Sequence, residues 1–151
     1  MTRSENPGLV WGRAAITVLA LLVPGMMLAP AASAADITAS PPAKFKKVST
    51  LVKLPDFLPG MGTLYVDPAT LPVGPFLGYN HKGKLVNIIY MVPVKDLEAH
   101  KNFDALGGAA KGVKVDHTAI QFNPGHPGVE EPHYHITQWL ISPAAAKKEM
   151  Q

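Results

Sequence analysis

The sequence predicts a mainly β domain with one helix, an α+β chain whose strands form a small antiparallel β-sandwich or barrel-like sheet. Three observations lead there. Two apolar, β-branched and aromatic runs flank Asn80-His81-Lys82-Gly83, a turn in which Gly83 can take a positive φ. Two further strand-like runs, Val113 to Phe122 and His133 to Ile141, bracket a loop rich in proline and glycine. Only "VKDLEAHKNFDALGG", residues 94–108, has the pattern of a helix.

Residues 1–34 stand apart from that domain. Arg3 and Arg13 precede the apolar run Ala14 to Val23, a Pro24-Gly25 break follows, and Ala32-Ser33-Ala34 fits a small-x-small cleavage pattern. This is the layout of a secretory signal peptide. The apolar run is short for a spanning helix, which needs about 20 residues; extended through Met26-Met27-Leu28 it becomes marginal, so a retained N-terminal anchor is the alternative, and no stable membrane insertion is expected once the segment is cleaved. A periplasmic or secreted location follows from that reading.

Residues 35–60 carry prolines at 41, 42, 55 and 59 and read as an extended lead-in with one strand near Val48 to Leu54. The β-rich domain spans 61–143. Its first pieces are Thr63 to Val66 and Pro75 to Tyr79, separated by Asp67-Pro68 and Pro72, and the hairpin across residues 80–83 comes next. In the helix, Pro93 stands before the first turn, Asp96 and Glu98 lie within it, and Ala99, Phe103 and Leu106 share one stripe. Gly107-Gly108 would close it in a left-handed cap. His81 falls at the hairpin turn and His100 beside the helix stripe, both as surface residues. Residues 144–151 read as a flexible tail.

Charge and cysteine count exclude several functions. Without the first 34 residues the chain holds twelve lysines, no arginine and ten acids. The lysines are scattered apart from Lys44 to Lys47 and Lys147-Lys148, so the pattern is not that of a nucleic-acid binder. The absence of cysteine rules out thiol catalysis, zinc-thiolate sites and disulfides. A fold of this size must then rest on its apolar core, a metal or neighbouring subunits. No Gly-x-Ser-x-Gly context surrounds any serine, and "GGAAKG" follows a helix where a phosphate loop would precede one.

The chemistry concentrates in "GHPGVEEPHYHIT", residues 125–137, which holds three of the six histidines. Residues two apart on a strand share a face, so His133 and His135 point together, with bases about 7 Å apart. His126 sits on a loop stiffened by Pro124, Pro127 and Pro132, and His117 on the preceding strand. If opposed positions of the two strands sum to an even number near 254, His117 faces Thr137 and lies diagonal to His135; an odd sum turns it to the other face. Imidazoles gathered this way suit zinc, copper, nickel, iron or manganese, with His117, His126, His133 and His135 as candidate ligands. Glu130 and Glu131 are the available carboxylates, and Glu131 is the candidate general base if the site is catalytic. The competing expectation is that these rings only hydrogen-bond the loop and pack beside Tyr134 and Trp139. No feature identifies an organic substrate.

Two families resemble this segment. Cupins carry Gly, five residues, His-x-His, three or four residues, then Glu; here four residues separate Gly128 from His133, and Trp139 or Leu140 stands where Glu would fall. Val115 to Ile141 more closely resembles a family of exported bacterial proteins of unassigned function, whose signature is Gly-His-x-Pro-Gly followed by Pro-His-Phe-Asp-Phe-His on a closing strand. His126 matches the first histidine of that signature and His133 the Pro-His histidine. His135 stands in place of Asp, Thr137 in place of the last His, and Pro127 follows His126 directly. The resemblance implies an exported homo-oligomer. The expected function is an exported metal-binding protein in a periplasmic accessory or stress-related role. The alternatives are a cupin-like metal-dependent enzyme using the same histidines, and a structural oligomer without metal.

Overall fold

The computed structural model describes residues 37–104, 106 and 112–151. Its strands are β1 (Lys46–Lys47), β2 (Thr63–Val66), β3 (Phe76–Tyr79), β4 (Leu85–Pro93), β5 (His117–Asn123) and β6 (His133–Trp139). They form one six-stranded sheet in the order β1-β2-β3-β4-β6-β5, with every neighbouring pair antiparallel. The mainly β, α+β class is therefore the one expected. The architecture is a single sheet rather than a sandwich or barrel, among the described residues, and its helices are two short ones, α1 (Val94–Glu98) and α2 (Pro143–Glu149).

β4 explains why one sheet suffices. All nine of its residues are buried, because segments pack over both faces of the sheet, and such a strand reads as a continuous apolar run instead of an alternating one. On one face Leu64, Val66, Phe76, Ile89 and Met91 form a core, with Val48, Leu58, Met61 and Val129 packed against it. On the other, Leu77, Tyr79, Leu85, Ile88 and Tyr90 do the same, with Phe45, Tyr65 and Ile136 among their neighbours. Burying each such side chain contributes about 1.5–3 kcal/mol.

The hairpin turn forms where expected. Asn80 N–H bonds the Lys84 carbonyl at 3.0 Å, Gly83 N–H bonds the Asn80 carbonyl at 2.9 Å, and Gly83 has φ 71. His81 lies exposed at that turn, its ring stacked on Phe57 with centroids 3.7 Å apart.

Three local expectations differ from the structure. The strand expected near Val48 to Leu54 is a two-residue strand, Lys46–Lys47, followed by a 3-10 turn over Val48–Thr50. Its apolar side chains fold onto the sheet face instead of pairing at its edge. The helix expected over 94–108 ends at Glu98, because His100 adopts φ 55. His100 N–H then bonds the Leu97 carbonyl (3.0 Å) and Lys101 N–H bonds that of Asp96 (2.9 Å), the paired closure of a left-handed helix cap. The expected Gly107-Gly108 cap lies outside the described residues. The tail is an ordered helix: Ser142 caps it by accepting from Ala145 N–H, Met150 is buried, and the Met150 carbonyl accepts from Gly60 N–H at 2.7 Å. Residues 1–34, read as a signal peptide, lie outside the described residues as well. Among the described residues, no helix is long and apolar enough to cross a membrane.

Candidate metal centre

β4 and β6 pair so that Met91 opposes His135 and Pro93 opposes His133. Being two apart, the histidines project to one face, the face that also buries Ile89 and Met91. His133 is fully buried and His135 nearly so. The third ring arrives from the loop between β5 and β6. His126 and Val129 exchange both main-chain bonds, 2.9 Å each, across Pro127-Gly128. Proline at the second position and glycine with φ 89 at the third are the requirements of a type II turn. That turn sets His126 over the strand pair, with its ring 5.0 Å from His133 and 5.7 Å from His135, centroid to centroid.

One nitrogen from each of the three rings lies within 4.8 Å of the others. The main chain fixes which nitrogens are available. His133 Nδ1 lies 2.7 Å from the Glu131 carbonyl; a carbonyl can only accept, so Nδ1 carries the proton and Nε2 presents a lone pair. His126 Nδ1 faces the Pro127 carbonyl at 3.2 Å with the same result. Second hydrogen bonds of this kind orient metal-ligating histidines. His133 Nε2 and His135 Nε2 stand 3.0 Å apart, close to the roughly 3.3 Å that separates two nitrogens bound tetrahedrally at 2.0–2.1 Å from zinc. The pair can thus share one N–H, or open by a few tenths of an ångström around an ion.

Electrostatics keep the third ring neutral. The His135 imidazole is pushed down to about 4, chiefly by burial and then by the neighbouring rings of His133 and His126. It would bind a cation at neutral pH without first losing a charge-bearing proton.

His117 is not brought to this cluster. The observed register sums to 256, with His117 opposite Trp139. The even parity places it on the face expected, but one pair further along, four residues from the position opposite His135. At about 3.4 Å per residue that is roughly 14 Å. There it stacks against Trp139 and bonds Asp116 at 2.9 Å. Glu131 enters the site through its carbonyl, while its carboxylate pairs with Lys95. No carboxylate joins the group of three among the described residues, and Glu130 is exposed.

A cavity of about 230 Å³ opens beside the triad, lined by His126, His135 and Asn123 and by apolar walls that include Leu58, Met61, Phe76 and Met91. Residue spacing around the histidines did not reveal these walls. Met91 lies 44 positions before His135 and reaches it only through strand pairing, and no local pattern distinguishes it from any other core methionine.

The chain is thus a small antiparallel-sheet protein in which two buried histidines and one half-buried one converge. No family model matches the chain, and no curated protein matches it. Among solved structures, a hypothetical protein from Thermus thermophilus, TTHB210, is 46% identical with a TM-score of 0.59, the match covering 64% of this chain and 93% of that one. The chain belongs to the same family as that protein.

Proposed function

We propose that this is an exported metal-binding protein whose His126, His133 and His135 hold one divalent transition-metal ion, serving a periplasmic accessory or stress-related role. The convergence of three nitrogens within 4.8 Å, in a chain with six histidines, carries the reading. The proton positions imposed at His126 and His133 support it, because they leave lone pairs inside the cluster. An all-imidazole set suits zinc or copper better than manganese, which prefers oxygen donors. Export rests on the leader pattern of residues 1–34.

Elemental analysis of protein purified without an affinity tag, after incubation with zinc or copper, tests the metal. About one ion per chain is expected; less than roughly a tenth would leave the direct His133–His135 hydrogen bond as the reason for the cluster and favour the structural reading. N-terminal sequencing of protein from a periplasmic fraction tests export, with Ala35 the expected first residue.

Self-association belongs to the same proposal. β5 is an edge strand, and Ile120 and Phe122 on it are 67% and 58% exposed, an arrangement proteins ordinarily cover or blunt.

A further inference from the structure

The cavity beside the histidines is lined mostly by apolar side chains, with three polar residues among them. Its apolar walls come from the sheet, with Phe76, Ile89 and Met91 on the strands, and from the chain before β2, with Leu54 and Leu58 in the lead-in and Met61 just after it. Its polar lining residues are His126, His135 and Asn123, and Asn123 stands opposite His133 in the strand register. Asn123 Oδ1 already accepts from Gly125 N–H at 2.9 Å, so what the amide offers there is its NH₂ donor. Of the three histidines, His126 and His135 line the cavity and the fully buried His133 stands behind them.

We propose that the cavity binds a small apolar monocarboxylate, its carboxylate completing the coordination of the ion held by the triad and its hydrocarbon tail filling the space between lead-in and sheet. This rests on the metal reading above. Three neutral imidazoles leave a divalent ion with its full charge and an open fourth position, a combination that takes an anionic oxygen donor. His126 and His135 both line the cavity, so a carboxylate seated there reaches the ion they hold, and Asn123 supplies a donor for the second carboxylate oxygen.

Size narrows the class. An apolar cavity of about 150 Å³ accepts one benzene, so by proportion a cavity of about 230 Å³ accepts roughly nine non-hydrogen atoms. A straight-chain acid near heptanoate has that size.

Calorimetric titration of the zinc-loaded full chain with acetate, butyrate, heptanoate and dodecanoate tests the proposal. Zinc content is measured first. Affinity should rise about fourfold per added methylene up to heptanoate and then stop rising. Removing zinc with a chelator should weaken heptanoate binding at least tenfold. Leu54→Trp and Leu58→Trp, made separately so that one misfolded variant does not decide the matter, should abolish heptanoate binding at unchanged zinc content.

A protein that holds one zinc per chain yet ignores heptanoate would overturn this proposal and leave the metal reading intact. Equal heptanoate affinity with and without zinc would overturn it too, and so would binding that survives both tryptophan variants. Failure to take up either zinc or copper, seen in the elemental analysis alone, would defeat the metal reading and this proposal together.

Discussion

At His133 the Glu131 carbonyl decides the tautomer, and through it the character of the whole cluster. Replacing His133 and His135 by alanine removes two nitrogens 3.0 Å apart. The double variant should lose about 2–3 kcal/mol more stability in zinc-saturated protein than in chelated protein, because only the loaded form loses binding energy linked to folding. Equal losses in the two thermal melts would mean that the rings act by packing. His135 also makes metal-free stability depend on pH. Its folded value of about 4 lies below the ordinary imidazole value of about 6.5, so between those values the unfolded chain binds the extra proton. Stability should therefore fall as pH drops from about 6.5 toward 4, with the loss complete below that window. Denaturant titrations of chelated protein across this range check the sign; His135→Asn should flatten the slope.

Two elements carry the site, and they differ in how they hold it. β6 places His133 and His135 by strand geometry alone, deep in a sheet paired on both sides. The 126–129 turn places His126 by backbone conformation, and Gly128 is its sensitive point: φ is 89 and an added Cβ would meet Val52 Cγ1 at 2.8 Å. Gly128→Ala should strain the turn by about 1–3 kcal/mol and cost roughly tenfold or more in zinc affinity, with the far-ultraviolet circular dichroism unchanged. At Gly78 the consequence falls on the fold instead. A side chain there would collide with Asn87 Oδ1 and the Met61 carbonyl, between which Asn87 Nδ2 donates to Met61 O at 3.1 Å. Gly78→Ala should lower the unfolding free energy by about 1–3 kcal/mol, as read by denaturant titration.

At the scale of the whole molecule, metal and core act on one free energy. Zinc at a hundredfold its dissociation constant stabilises a single-site protein by about 2.7 kcal/mol, which for a domain of this size raises the melting temperature by about ten degrees. If the exposed edge of β5 joins copies of the chain, Ile120→Lys with Phe122→Lys should reduce the sedimenting mass without lowering zinc content; an unchanged mass would place the contact elsewhere.

Much of the β architecture could be read locally. The hairpin at residues 80–83 declares itself through a glycine and two flanking apolar runs, and His133 and His135 share a face because any strand has a period of two. The same local rules account for Pro127-Gly128 as a turn. Other features depended on neighbours far along the chain. Helix α1 stops at Glu98 although its apolar pattern continues, since a short helix persists only where tertiary packing sustains it. The tail orders because Met150 finds a buried place and Gly60 a partner carbonyl. His117 misses the cluster by one step of strand register, a quantity that residue types on the two strands leave nearly degenerate and that contacts across the whole sheet resolve. Residue chemistry and short-range geometry, written in the sequence itself, determined that imidazoles would gather near residues 126–135. Only the tertiary structure decided that His117 falls short of the other three and that an apolar cavity stands beside them, because both follow from pairing and packing between segments tens of residues apart.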